Sequence, residues 1–112
     1  MKKKSKIYSN NNLFDSNGYL KNYLYWNKII AIEIAKKESI NLTINHWEII
    51  LFIRNFYLKF KITPSMKMLS KSLKLKFGNK KSNSIYLYKL FPKGAANQAS
   101  KIAGIPKPNH CL

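Results

Sequence analysis

Residues 43–60 read TINHWEIILFIRNFYLKF, and this stretch decides the fold that the sequence predicts. Its apolar side chains recur three and four positions apart, as they do on the buried face of a helix. Thr43 is a favourable N-cap residue, because its hydroxyl can accept a hydrogen bond from an amide of the first turn. Thr63-Pro64 then favours the end of this helix and the start of the next, since proline suits the first helical position. We therefore predict a long central helix.

The segments on either side of this helix predict a helical body. In chain order the other predicted helices span residues 23–38, 64–78, 85–91 and 95–103. Gly78 is suited to closing the third helix, because glycine adopts the left-handed conformation of a C-cap without strain. The fourth helix must end before Pro92, since the residue before a proline avoids the helical region. We predict a mainly α fold of the α+β class, a compact bundle of about five helices.

The two ends of the chain differ from this body. Residues 1–12 are rich in Lys, Asn and Ser and are interpreted as a flexible basic leader. The segment LFDSNGYL at residues 13–20 has an Asn-Gly pair between apolar residues, which predicts a small β-hairpin. IPKPNHCL at residues 105–112 contains two prolines, which exclude a helix and favour an extended arm with Cys111 near its tip. We expect a single domain over residues 13–104.

The charge of the chain points first to an anionic partner. The formal net charge is +17, from 21 basic and 4 acidic residues among 112. Arg54 is the only arginine, and Lys makes the bidentate contacts of specific phosphate and base recognition poorly. A basic helix-turn-helix module that binds nucleic acid nevertheless remains an alternative, as does a structural subunit of a larger complex.

Few kinds of chemistry can be built from these residues. His46, His110 and Cys111 are too few ligands for a zinc site, and neither a phosphate-binding glycine loop nor a spaced carboxylate pair is present. We therefore expect no metal and no cofactor. The chain has a single cysteine and no signal-like N-terminus, so we predict a cytoplasmic protein. It has no long apolar run, so we predict no membrane segment. The thiol of Cys111 is left as the candidate catalytic group, unless it is an incidental residue of a tail.

Several stretches together resemble the TusE/DsrC family of sulfur-trafficking proteins. They are HWEIILFIRNFYLKF at 46–60, PSMKMLSKSLKLKFG at 64–78, SIYLYKLFPKGAANQASKIAGIPKP at 84–108, and the penultimate Cys111. The resemblance implies a compact, mainly helical fold with a small hairpin and a C-terminal arm. It also implies a sulfurtransferase in which Cys111 carries sulfur as a persulfide.

Ser100 indicates which branch of that family the chain resembles. Proteins of the DsrC branch, which are partners of dissimilatory sulfite reductase, carry a second cysteine at this position, eleven residues before the penultimate one. Its absence favours the TusE branch, a relay that takes sulfur from a TusBCD-like carrier complex and passes it to an MnmA-like tRNA 2-thiouridylase. In that relay the product is a thiolated wobble uridine, and tRNA is met only through the acceptor enzyme. A DsrC-like role with a sulfite reductase stays an alternative.

Other residues receive structural interpretations at this point. We expect Arg54 to form a structural ion pair, in preference to a contact with the arm. His110 can tune the thiol only if the arm bends, and the basic residues from Lys93 to Lys107 are either a steering stripe or a solvated face. The expected core aromatics are Trp26, Trp47, Tyr86, Tyr88 and Phe91.

Overall fold

The computed structural model describes residues 12–108, and within them the chain is helical. The α-helices are α1 (Lys28–Lys37), α2 (Ile44–Phe60), α3 (Met66–Phe77), α4 (Ser84–Leu90) and α5 (Ala95–Ile102). Short 3₁₀ turns lie at Tyr23–Tyr25 and Asn79–Lys81. None of these helices is long and apolar enough to cross a membrane. The mainly helical prediction is confirmed, while residues 1–11 of the predicted leader lie outside the described part.

Side-chain caps determine where the helices begin. The Thr43 hydroxyl accepts the amide hydrogen of His46, and His46 Nδ1 accepts the amide hydrogen of Thr43, so α2 starts with the capping pair that Thr43 predicted. Asn83 caps α4 by accepting from the Tyr86 amide at 2.8 Å. Gly78 follows the last residue of α3 and its amide donates to the Lys74 carbonyl, but with φ of +84° and ψ of −172° it does not adopt the left-handed helical conformation that we predicted. These boundaries follow from local hydrogen bonds, which is why the sequence predicts them.

Two predicted helix starts are wrong, one by five residues and the other by two. The first helix begins at Lys28 instead of residue 23, because the Asn27 side chain accepts the Ile30 amide hydrogen and Trp26 before it is extended. The third helix begins at Met66, because Ser65 supplies the cap that we expected from Thr63.

The predicted β-hairpin at residues 13–20 is not supported. Between residues 12 and 108 no strand forms, and Phe14 and Leu20 make one isolated antiparallel bridge. The Asp15 carboxylate accepts the amide hydrogens of Asn17 and Tyr19, so side-chain bonds stabilise the turn. Soon after the bridge, Asn22 caps the 3₁₀ turn, which leaves no length for a second strand to extend.

Helix α5 occupies the centre of the bundle and packs against the other four helices. Small residues make this possible, because Ala99, Ser100 and Ala103 are fully buried and let the neighbouring helices approach closely. The largest fully buried side chains around it are Ile49, Ile50, Ile53, Leu69, Leu73, Leu87, Phe91, Ile102 and Ile105.

The expected core aromatics are placed as predicted with one exception. Phe91 is fully buried, and Trp26, Trp47 and Tyr86 pack against the core while partly exposed. Tyr88 is 65% exposed, because it lies on the outer face of the short helix α4. Its assignment to the core is wrong.

Candidate functional site at the base of the C-terminal segment

The C-terminal segment, residues 103–108, leaves the centre of the fold. Helix α5 ends at Ile102, and Gly104 turns the chain with a φ of +70°. The Ile105 amide then donates to the Ser100 carbonyl at 3.2 Å, and the Ile105 side chain is fully buried. Cys111 and His110, the candidate thiol and its neighbour, lie outside the described residues.

Arg54 attaches this segment to helix α2. Its guanidinium donates to the carbonyl oxygen of Ala103 at 3.0 Å and to that of Tyr23 at 2.9 Å. Burial lowers the pKa of Arg54, yet a guanidinium titrates so far above neutrality that it stays charged. The expected ion pair is wrong, because the guanidinium contacts carbonyls and none of the ion pairs among residues 12–108 includes it. Arg54 contacts the base of the arm instead.

Trp26 forms the second attachment. Its ring centre lies 4.3 Å from the Arg54 guanidinium carbon, and its indole N–H donates to the Ile102 carbonyl at 2.8 Å. Gly104 lies directly against the ring, since a Cβ at this position would come within 2.8 Å of Trp26 Cγ. The indole therefore excludes a side chain at Gly104, and the φ of +70° is a second, independent reason for glycine there.

Further contacts hold the described start of the predicted arm on the body. The Thr63 hydroxyl donates to the Pro106 carbonyl at 2.7 Å, and Pro108 is buried, while Pro106 and Lys107 are exposed. No helix forms at residues 105–108, in agreement with the two prolines. These four residues do not stand away from the body, however, because apolar burial of Ile105 and Pro108 favours contact with it.

Ser100 lies inside the fold, on the buried face of α5. Its side chain is fully buried, and its hydroxyl has no hydrogen-bond partner among the described residues. A buried hydroxyl without a partner destabilises a fold by roughly 1–3 kcal/mol. The position at which the resemblance predicts a cysteine in the DsrC branch thus holds a buried hydroxyl in this chain.

The remaining candidate residues have structural partners. His46 Nε2 donates to the Leu90 carbonyl at 2.8 Å, and its other ring nitrogen belongs to the α2 cap, so neither nitrogen is available to a metal. No cluster of three or more potential metal ligands occurs in residues 12–108. In the basic stripe, Lys101 pairs with Glu38 at 3.1 Å, whereas Lys93 and Lys107 are exposed.

The sequence did not indicate the network that joins α1 to α5. Glu38 accepts hydrogen bonds from Gln98 Nε2 at 2.9 Å and from Lys101 Nζ. Burial alone would raise the pKa of Glu38, but these two hydrogen bonds and the charges of Lys101 and Lys93 lower it below its ordinary value. These partners are some sixty positions apart in the chain, so no local pattern relates them.

Comparison with known families gives one match over nearly the whole chain. The family model described as "DsrC like protein" matches residues 6–112. Curated relatives include the "Sulfurtransferase TusE" of Buchnera aphidicola from Acyrthosiphon pisum, 62% identical over 88% of this chain and 86% of the relative. The "Sulfurtransferase TusE" of Escherichia coli K12 is 51% identical over 88% of this chain and 90% of the relative.

Two solved structures with the same fold carry DsrC titles. The NMR structure of Allochromatium vinosum DsrC is 43% identical, with a TM-score of 0.81 over 88% of each chain. The oxidised γ-subunit of the dissimilatory sulfite reductase (DsrC) from Archaeoglobus fulgidus is 38% identical, with a TM-score of 0.76 over 88% of this chain and 90% of that one.

Proposed function

This chain belongs to the DsrC-like protein family, and from that membership we propose that it is a sulfurtransferase that carries sulfur on Cys111. The observation that carries the proposal is the family match through residue 112, together with relatives named sulfurtransferase at 51–64% identity. Cys111 is the only thiol in the chain. A sulfur carrier needs one nucleophilic sulfur, because its partners can supply acid, base and activation.

The proposed reaction is two successive exchanges at sulfur. The Cys111 thiolate attacks the terminal sulfur of a donor persulfide, the donor S–S bond breaks, and the donor leaves as a thiolate. A thiolate of the acceptor then attacks the terminal sulfur of the Cys111 persulfide, and Cys111 leaves with the electron pair of the broken bond. One sulfur atom moves at each step with no net oxidation. Each step follows the rules of thiol–disulfide exchange, so thiolate fraction and access govern its rate.

The described residues support this role by fixing where the reactive end of the chain begins. Arg54, Trp26 and Thr63 hold the backbone from Ile102 to Pro106, only a few residues before Cys111. Lys107 is exposed and lies four positions before Cys111 in sequence. Neighbouring cations favour the thiolate form of a cysteine, and the net charge of +17 acts in the same direction.

The donor and the acceptor belong to the same proposal. We assign the chain to the TusE branch, with a TusBCD-like complex as donor and an MnmA-like tRNA 2-thiouridylase as acceptor. Ser100 supports this branch, because the chain has no second thiol to pair with Cys111. A working thiol of this kind suits the cytoplasm, where cysteines are kept reduced. A DsrC-like role with a sulfite reductase and a helix-turn-helix nucleic-acid module are the alternatives.

The first test is intact-mass analysis after incubation with a persulfide-loaded donor. We expect the wild-type chain to gain one sulfur, ~32 Da, and Cys111→Ser to gain none, since persulfidation requires a thiol. Ser100→Cys is the matched variant with two thiols, and its disulfide formation would show whether the second position can react with Cys111. Failure of the wild type to gain mass beside a donor that loads a control thiol would overturn the carrier proposal.

The second test concerns the acceptor. Persulfidated chain is mixed with a purified tRNA 2-thiouridylase, ATP and unmodified tRNA, and 2-thiouridine is measured by its retardation in a mercury-containing gel. We expect product with the wild type and none with Cys111→Ser. If the Cys111→Ser chain supports as much tRNA thiolation as the wild type, the proposal that Cys111 relays sulfur to the thiouridylase is wrong. If the wild type takes up sulfur but transfers none of it to tRNA, the sulfite-reductase alternative is favoured.

A further inference from the structure

An apolar groove opens between α2 and α3, away from the site described above. Its volume is about 570 Å³, and its floor includes Phe52, Phe56 and Phe77. Phe52 and Phe77 pack with ring centres 6.0 Å apart, and Phe56 packs on Phe60 at 4.8 Å. Phe52 and Phe56 each lie two residues from Arg54, and a two-residue step is about 200° of helix turn. The groove and the C-terminal segment therefore lie on opposite sides of α2.

The side chains at the edge of this groove are unusually exposed for apolar residues. Leu75 is 85% exposed, Phe60 is 54% exposed and Leu51 is 38% exposed. All three line the groove together with the aromatic floor. Single exposed apolar residues need no explanation, but a contiguous set around a concave surface is typical of a binding site.

Charge determines what kind of partner this surface suits. Lys59 and Lys76 stand at the rim, each within 6 Å of an aromatic ring of the groove. The carboxylate that lines the groove, Glu48, is paired with Lys81 at 2.7 Å. The rim is therefore cationic around an apolar floor.

We propose that this groove binds an acidic amphipathic segment of a protein partner. Its apolar face would cover Phe56 and Leu75, and its carboxylates would meet Lys59 and Lys76. A second copy of the chain suits the surface less, because a symmetric contact would bring two chains of charge +17 together through the same lysines. A nucleic acid would satisfy the lysines but leave Leu75 uncovered. The proposal does not rest on sulfur transfer, since none of the described residues that line the groove is a cysteine.

The test uses a fluorescein-labelled synthetic peptide of about four helical turns, with leucines on one face and glutamates on the other. Its binding to the full chain is followed by fluorescence anisotropy. We expect Leu75→Ser to weaken binding roughly tenfold, because one buried leucine side chain contributes about that factor. Ile85→Ser is the matched control, since Ile85 is 69% exposed on α4 and does not line the groove. Both residues are surface residues, so neither change should affect folding.

A second pair of variants tests the charge of the rim. The first double variant is Lys59→Gln with Lys76→Gln, and the control is Lys21→Gln with Lys89→Gln, which removes equal charge from exposed positions elsewhere. We expect the first double variant to weaken peptide binding, and to reduce the salt dependence of that binding, more than the control does. Equal affinity of Leu75→Ser and wild type for the peptide would overturn the proposal. Two other results would also overturn the proposal, because each assigns the groove to another occupant. One is a dimer in sedimentation equilibrium that Leu75→Ser abolishes, and the other is tRNA binding that the same change abolishes.

Discussion

Arg54 joins segments that are distant in sequence, since its two nitrogens donate to the carbonyls of Ala103 and Tyr23. We predict that Arg54→Ala lowers the free energy of unfolding by about 2–4 kcal/mol, because two partly buried charge-assisted hydrogen bonds are lost. Arg54→Lys should recover only part of the loss, since an ammonium cannot match the planar fork of a guanidinium. Urea unfolding followed by circular dichroism measures both variants, and a fully stable Arg54→Lys chain would contradict the bidentate role.

Gly104 gives a second prediction at the scale of one residue. Gly104→Ala should destabilise the chain more than Gly78→Ala, although both glycines have positive φ, at +70° and +84°. A Cβ at Gly78 meets nothing within 4 Å, so that change costs only the backbone strain of about 1–3 kcal/mol. A Cβ at Gly104 also displaces Trp26, and overpacking adds about 1–3 kcal/mol. Urea unfolding compares the two variants, and equal losses would mean that the ring moves aside freely.

The contact between helices α1 and α5 depends on a carboxylate, so it gives a prediction about pH. The pKa of Glu38 is lowered in the folded chain because, against the effect of burial, Gln98 and Lys101 donate to it. A lowered folded pKa means that Glu38 stabilises the fold fully above its unfolded pKa. This stabilisation is lost as the pH falls through the folded value.

We therefore expect stability to fall below about pH 5 in the wild type, where an unfolded Glu begins to take up its proton. Glu38→Gln should be less stable at pH 7 by about 1–2 kcal/mol and should lose less stability between pH 5 and pH 3. Glu33→Gln is the control, because Glu33 makes only an exposed pair with Lys36 at 3.5 Å. If the wild type and Glu38→Gln lose equal stability between pH 5 and pH 3, other carboxylates determine the acid sensitivity of the fold.

The elements differ in how far the sequence predicts them. Thr43 predicted the start of α2, because a cap is a contact between residues three positions apart. The start at Thr63-Pro64 was wrong because Ser65 competes as a cap, and Thr63 instead bonds Pro106. The hairpin failed for a related reason, since Asp15 satisfies the turn amides that a β-ladder would use.

The candidate site was less predictable than the helices. Cys111 was found from the sequence because it is the only thiol, and it stays a prediction since it lies outside the described residues. The role of Arg54 had no local signal, because its partners Ala103 and Tyr23 come near it only after α2 and α5 pack. The burial of Ile105 and Pro108 could not be predicted either, because a proline-rich pattern predicts an extended backbone but not its contacts with the rest of the fold.

For the molecule as a whole, charge opposes the compact fold. The chain has 21 basic and 4 acidic residues, and Glu33, Glu38 and Glu48 are already paired with lysines. The other lysines greatly outnumber the one remaining acidic residue, Asp15, so folding into a compact chain brings like charges closer together on average. Added salt screens this repulsion, because the Debye length falls from roughly 20 Å at ~0.02 M to about 4 Å at ~0.5 M.

We therefore predict that the free energy of unfolding rises by about 1–2 kcal/mol between these two salt concentrations, as long as the screened repulsion exceeds the screened ion pairs. Urea unfolding at fixed pH measures it, with sodium chloride as the salt, since urea itself is uncharged. A variant in which exposed Lys67, Lys71 and Lys74 of α3 become Gln should show a smaller rise than wild type, because it carries less repulsion to screen. A fall in stability with salt would instead mean that the three ion pairs, above all the partly buried Glu38–Lys101 contact, outweigh the repulsion among the other lysines.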